Sequence, residues 1–271
     1  MQSLTQIREL LAARGIRPKH RLGQNFLHDH NQLRRIVDAG AVRPGDLVLE
    51  VGPGTGTLTE ALVEAGADVI CAELDEDMAS IVESRLGDRI TLVRGDCLDR
   101  RRHLAPAILD VIDDRPFKLV ANLPYQAATP LMMDLLVRRP NCLGQVALIQ
   151  KEVADRLAAG PGGREYGPIS ILTATLGSIE RVCTVPPGCF WPAPKVISAV
   201  VRITPSVDRD FEDAEAFGDF VGELFRTRRK QLGATLSRMG LTPPDELDLT
   251  RRPESLSPTQ LLDLFREIAT G

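Results

Sequence analysis

No run of about 18 uncharged apolar residues occurs anywhere in the chain, so no membrane-spanning helix is expected. The opening residues, "MQSLTQIRELLAARG", mix acids and bases among their leucines. They lack the unbroken apolar stretch and small-residue cleavage site of a signal peptide. Cysteine is sparse and unpatterned, with five residues and no C-x-x-C pair. That spacing argues against a disulfide framework or a zinc site, so no metal is expected and a reducing cytoplasm is the expected compartment. Internal repeats and low-complexity tracts are missing as well. A strong net charge is also missing, and the formal value of −4 argues weakly against a nucleic-acid partner.

The distribution of charge argues the other way. Between Arg8 and Arg35 the bases are Arg8, Arg14, Arg17, Lys19, Arg21, Arg34 and Arg35, against Glu9 and Asp29 alone. A second cluster, "FRTRRKQL", holds Arg226, Arg228, Arg229 and Lys230, while acids gather in "ELDED" and "DRDFEDAEAF". Such segregation can leave a basic face on an acidic protein, although either cluster taken alone is equally a solvated helix face.

A chain of 271 residues can form one large domain or two smaller ones. Its first two-thirds alternates β-rich runs with helical patterns. "DLVLEV" (46–51), "ADVICAEL" (67–74), "ITLVRGD" (90–96), "FKLVANL" and "QVALIQ" read as strands, with "GTLTEALVEAG" and "DEDMASIVESRLG" as helices between the first of them. The alternation implies βαβ units and a parallel sheet. "IERVCTV" and "KVISAVVRIT" flank "PPGCFWPAP" with no helix between them, which suggests a closing antiparallel pair at the sheet edge. After Pro205 a charged connector, "PSVDRDFED", leads into Phe217, Phe220, Val221, Leu224 and Phe225 at helical spacing, followed by Leu232 and Leu236. "MGLTPPDELD" breaks that helix, and "SPTQLLDLFREIAT" starts another with Ser257 as N-cap and Pro258 in its first turn. The expected division is 1–206 for the α/β part, with a basic helical segment at its N-terminus, and 207–271 for a small helical C-terminal domain.

The glycines Gly52, Gly54 and Gly56 of "LEVGPGTGTLTE" stand between a strand and a helix, where a ligand can approach backbone N–H groups. Glu73 ends the next strand, about 20 residues after Gly52, at the spacing where an acid meets a ribose hydroxyl. The pattern is G-x-G-x-G, not the G-x-G-x-x-G of dehydrogenases, and Asp96 closes the third strand where a carboxylate can accept from an adenine amine. Glu73 and Asp96 together would read one adenosyl group, which favours S-adenosylmethionine over a nicotinamide cofactor. Each acid alone is equally an ordinary N-cap. "ANLPY" follows at the fourth strand end. The nitrogen of an exocyclic adenine amine is conjugated with its ring, so an enzyme must hold it by its protons. Asn122 Oδ1 and the Pro124 carbonyl are two acceptors for that purpose, and Tyr125 offers a stacking face.

"HRLGQNFLHD", "VLEVGPGTGTLTEAL", "ANLPY", "LIQKEVADRLAA", "PPGCFWPAPKV" and "FRTRRKQL" occur in the order seen in the ribosomal RNA adenine dimethyltransferase family, which the chain resembles over nearly its whole length. The resemblance implies an α/β fold, a seven-stranded Rossmann-like class I methyltransferase sheet with a small helical C-terminal domain that docks on rRNA. It implies transfer of methyl groups from S-adenosylmethionine to N6 of two adjacent adenosines near the 3′ end of small-subunit (16S) rRNA, within an immature subunit, by a cytoplasmic monomer. Carried over by motif, Asn25, Leu27, Gly52, Gly54, Glu73, Asp96 and Asn122 would contact the donor. Asn122, Pro124 and Tyr125 would hold the target base, with Phe190 closing its other side. Lys19, Arg21, Arg228, Arg229 and Lys230 would touch rRNA phosphates. Family members usually continue "NLPY" with Asn and "PKV" with Asp, whereas Gln126 and Ile197 stand here, and the basic segment reads "RRKQLGA". These departures bear on docking and on the pocket's fine structure. The alternatives are a large-subunit rRNA adenine methyltransferase of the resistance type and a ribosome-assembly factor that binds without turnover.

Overall fold

In the computed structural model, residues 1–207, 213–243 and 247–270 are described. The middle of the charged connector "PSVDRDFED" and part of "MGLTPPDELD" lie outside them. The strands are β1 (Phe26–Leu27), β2 (Leu47–Val51), β3 (Asp68–Glu73), β4 (Ile90–Arg94), β5 (Phe117–Asn122), β6 (Cys142–Gln150), β7 (Gly177–Val185), β8 (Phe190–Trp191) and β9 (Ser198–Pro205). The helices are α1 (Leu4–Ala13), α2 (His30–Gly40), α3 (Thr57–Glu64), α4 (Glu76–Leu86), α5 (Pro106–Ile112), α6 (Tyr125–Arg138), α7 (Lys151–Leu157), α8 (Pro168–Leu176), α9 (Ala214–Phe225), α10 (Leu232–Arg238) and α11 (Pro258–Thr270).

Seven strands form one sheet in the order β4-β3-β2-β5-β6-β9-β7. The pairs from β4 through β6 are parallel, and β9 runs antiparallel to β6. All five residues of β2 are buried, as a parallel strand covered on both faces requires. The chain leaves β2 toward β3 and β4, then returns to the opposite side of β2 as β5. That reversal opens a crevice beyond the carboxyl ends of β2 and β5, where ligands bind in open α/β sheets. The core beneath it joins Val48, Leu62, Val69, Val120 and Val146 with Leu33 and Ile36 of α2.

The chain forms two compact units. The first, Met1–Leu135, Asn141–Ala154 and Glu180–Thr204, carries most of the sheet. The second gathers three segments, Leu136–Pro140, Asp155–Ile179 and Pro205–Gly271. Inside it α8, α9 and α11 pack together, with the Phe265 ring 5.5 Å from both Phe217 and Phe220. Tyr166 is fully buried and its hydroxyl donates to the Leu256 carbonyl at 2.8 Å. Ser257 caps α11 as its sequence suggests, since Ser257 Oγ accepts from Gln260 N and Gln260 Oε1 accepts from Ser257 N.

The helix expected to run on from Phe217 through Leu236 instead breaks in two. Residues 226–231, which hold the basic cluster, lie outside both helices, with 226–229 forming a turn. Lys230 N bonds to the Thr227 carbonyl, and the Arg228 guanidinium donates to the carbonyls of Arg164 and Tyr166, so this segment's polar groups find partners outside a helix.

Candidate active site

Parallel pairing brings the carboxyl ends of consecutive strands to one edge of the sheet. Gly52 follows β2, Glu73 ends β3, Asp96 lies just beyond β4 and Asn122 ends β5. All four line one cavity of about 750 Å³ in the first unit, together with Asn25, Leu27, Gly54, Pro124, Tyr125, Phe190 and Arg21. The volume is within the ordinary range for a small-molecule site.

The turn after β2 fits closely against its neighbours. Gly52 has φ +74°, and a Cβ there would lie 3.2 Å from the Pro124 ring. Gly54 has φ +57°, and a Cβ there would lie 3.1 Å from the Phe26 ring. Both positions need a residue that tolerates positive φ and adds no side chain. The Gly54 N–H donates to Glu73 Oε2 at 3.2 Å, and Asp75 N donates to Glu73 Oε1 at 2.9 Å. Burial raises the Glu73 carboxyl above its ordinary range, and these two N–H bonds pull it partly back. Asp96 is exposed, and its Oδ1 accepts from Leu98 N at 3.0 Å, which leaves Oδ2 for a ligand amine.

The segment 19–27 reaches the cavity through contacts that the sequence did not signal. Phe26 and Leu27 of β1 pair antiparallel with Trp191 and Phe190 of β8, so Leu27 and Phe190 stand opposite each other. Both are buried. Asp75, almost wholly buried at the N-cap of α4, accepts from Lys19 Nζ at 2.7 Å, Gln24 Nε2 at 2.7 Å and Asp77 N at 3.0 Å. Burial pushes its carboxyl up, but these donors outweigh burial and hold it below the ordinary value. Asn122 Nδ2 then donates to the Asn25 carbonyl at 3.3 Å, which fixes the amide's direction and leaves Oδ1 as its acceptor. The Tyr125 hydroxyl lies 3.5 Å from Ser198 Oγ. The Pro124 carbonyl accepts from Ala127 N and Ala128 N as α6 begins, so any target amine shares that oxygen with the helix.

Two of the cations expected at rRNA phosphates are engaged elsewhere. Lys19, partly exposed, bridges Asp75 and Asp77 at 2.7 Å each, so its charge is paired within the chain. Arg228 binds two carbonyls and lies 3.5 Å from Glu254. Arg21, Arg229 and Lys230 are exposed.

Three residues of this region escaped the sequence reading. Asp75 stood only as one acid of "ELDED", and Gln24 carried no sign of its bond to it. Glu50 lies in the middle of β2, 2% exposed, and lines the same cavity. Burial pushes its carboxyl up to about 8, and the nearby Glu73 charge adds to the shift. Among the described residues, no group of three or more His, Cys, Asp or Glu side chains could hold a metal ion. No described helix is long and apolar enough to cross a membrane.

The model of the family described as ribosomal RNA adenine dimethylase matches residues 15–269. A protein named ribosomal RNA small subunit methyltransferase A from Bifidobacterium longum is 38% identical over 97% of this chain and 92% of its own length. One of the same name from Deinococcus radiodurans is 41% identical over 89% of this chain and 79% of its own. The crystal structure of a dimethyladenosine transferase from Plasmodium falciparum superposes with a TM-score of 0.75 at 24% identity, covering 90% of this chain and 98% of that one, a likeness of fold.

Proposed function

Because the chain belongs to the ribosomal RNA adenine dimethylase family, we propose that it dimethylates N6 of two adjacent adenosines near the 3′ end of small-subunit rRNA. The observation that carries this reading is the Asn122 amide. With Nδ2 committed to the Asn25 carbonyl, Oδ1 is an acceptor at the carboxyl end of β5, in the cavity that also holds Glu73 and Asp96.

The residues fit an adenosyl donor. Glu73 has both oxygens anchored by backbone N–H groups yet keeps lone pairs for ribose hydroxyls, and Asp96 Oδ2 suits the adenine amine. Gly52 and Gly54 clear space for close approach, with Asn25 and Leu27 on the wall formed by the N-terminal segment. S-adenosylmethionine, the donor of the family, supplies an electrophilic methyl carbon. Asn122 Oδ1 and the Pro124 carbonyl accept the two N–H bonds of the target amine, which turns its lone pair toward that carbon. The same acceptors stabilise positive charge as it develops on nitrogen, so no strong base is required, and the surplus proton leaves to water. Tyr125 and Phe190 enclose the base between their rings, a stacking arrangement that accepts an unstacked adenine.

A base in structured rRNA must be presented outside its stack, so the substrate is an immature small subunit with an accessible adenosine loop. Arg21, Arg229 and Lys230 contact its phosphates, which gives affinity and orientation more than sequence choice. Lys19 and Arg228 hold the protein's own segments instead. The enzyme acts as a monomer, in the cytoplasm where subunits assemble. The large-subunit and non-catalytic alternatives are not favoured by the names that its relatives carry.

The test is incubation of unmethylated small subunits with labelled donor, followed by mapping of the modified nucleotides. Adjacent dimethyladenosines are expected with the wild type. An Asn122→Ala variant should bind RNA yet lose methyl transfer by at least 100-fold. Equal loss of binding and transfer would remove Asn122 from its role. Labelling of large-subunit rRNA alone would reject the substrate.

A further inference from the structure

Asp99 organises a tight loop between β4 and α5. Asp99 Oδ1 accepts from Arg101 N at 2.8 Å and His103 N at 2.9 Å, while Asp99 N bonds to the His103 carbonyl at 2.8 Å. Leu98 and Leu104 close the base of the loop as an antiparallel bridge, and Leu104 N donates to Asp134 Oδ2 of α6. The tip so displayed is three consecutive arginines, Arg100, Arg101 and Arg102, all exposed. None of the three forms an ion pair with a described residue, although ion pairs engage Lys19, Arg85, Arg94, Arg115, Lys118 and Arg202 of the same unit.

Arg102 has φ +67°, a left-handed backbone that costs free energy in a residue other than glycine. Its guanidinium is anchored by a consequence of "YQAATP". Pro130, inside α6, has no N–H to offer the carbonyl four residues before it, and Arg102 Nη2 donates to that Gln126 carbonyl at 2.5 Å instead. One of five N–H donors is thus used, and Arg102 is held on the wall of the cavity shared with Asn122, Tyr125 and Asp96.

Resting on the rRNA methyltransferase reading above, we propose that the Arg100–Arg102 loop binds the phosphodiester backbone of the RNA strand that delivers the target adenosine. A nucleotide whose base lies between Tyr125 and Phe190 carries its own phosphates to the mouth of that cavity, where a fixed, unpaired guanidinium makes charge-assisted bonds to phosphate oxygens. The loop acts on whichever nucleotide occupies the cavity, and so serves both adenosines in turn. Arg102 orients the strand at the reacting base, and Arg100 and Arg101 bind further along it. The three replace at the active site the charge that Lys19 spends on Asp75 and Asp77.

The experiment measures the affinity of R100Q/R101Q and R100Q/R101Q/R102Q for unmethylated small subunits as a function of salt, with methylation kinetics on the same particles. Each single-strand phosphate that a variant no longer neutralises should lower the slope of log K against log salt by about 0.7, and the RNA KM should rise roughly tenfold or more for the triple variant. R100K/R101K should restore most of the slope because the charge returns. R100Q/R101Q should melt as the wild type does and bind S-adenosylmethionine unchanged by calorimetry, since neither residue lines the cavity. An unchanged salt slope in the triple variant overturns the proposal, as does a slope that falls only together with the melting temperature. If wild-type protein methylates no small-subunit rRNA, the functional reading has failed instead, and the two failures are told apart by that control.

Discussion

Replacing Glu50 by Gln should raise stability in a pH-dependent way, because this carboxyl is buried in β2 beside Cys71 and Glu73. Its ordinary value near 4.5 applies to the unfolded chain, while burial holds the folded value at about 8. Between those limits the folded protein keeps a proton that the unfolded chain has released, so stability falls as pH rises. It falls by about 1.4 kcal/mol per pH unit, and by about 3 kcal/mol on reaching pH 7 as an upper figure. Below pH 4.5 both states are protonated and this contribution is fully present; above pH 8 both have lost the proton and the decline stops. Gln titrates nowhere in this range. The stability of Glu50→Gln minus that of the wild type should therefore start near zero at pH 4.5, widen to about 3 kcal/mol at pH 7 and level off beyond pH 8. Urea unfolding followed by fluorescence reads this directly, since the single tryptophan, Trp191, lies in the same unit. The Glu73 carboxyl is also raised, but it titrates in both proteins and largely cancels in the difference. Parallel curves from pH 5 to pH 8 would refute the reasoning, for they would mean that Glu50 ionises in the folded protein as it does in water.

Asp75→Asn keeps an N-cap for α4 but cannot accept at both positions, so either Gln24 loses its acceptor or Lys19 is left with Asp77 alone. Hydrogen bonds to charged groups contribute about 1.5–3 kcal/mol each, which predicts a drop of several degrees in melting temperature. Single-turnover transfer at saturating donor should also slow, because the segment that orients Asn122 through the Asn25 carbonyl is loosened; a lower melting temperature with unchanged transfer would limit the clasp to stability. Gly52→Ala sets a Cβ against the Pro124 ring at positive φ. Calorimetry should show donor affinity reduced at least tenfold, and full affinity would contradict the close packing of the turn on Pro124.

Much of the fold follows from local pattern. Strands of β-rich residues alternating with helical periods lead to a parallel sheet, and Ser257 with Pro258 marks the start of α11, because capping and periodicity act over a few residues. Glu73, Asp96 and Asn122 were likewise readable as one site. Parallel βαβ units must bring successive carboxyl ends to the same edge, so spacing along the chain translates into proximity. The break between α9 and α10 was not readable, since Leu232 and Leu236 continue an apolar series whatever the turn between them does.

Sequence alone therefore determined the sheet, the glycine turn, the acids at its strand ends and the place of the "NLPY" segment at the end of β5. Tertiary structure decided how those parts are held and what the charges do. The pairing of β1 with β8 joins residues more than half the chain apart and sets Leu27 opposite Phe190. Lys19 and Arg228, which the sequence offers as phosphate ligands, are paired in the folded chain with carboxylates and carbonyls from distant segments. Arg102 looked like one arginine among many until Pro130 left the Gln126 carbonyl for it to bind. The physical reason is one of range. Backbone periodicity and capping are set by near neighbours in the chain, whereas a charge binds whatever group the fold brings within a few ångströms, and only the folded chain specifies that group.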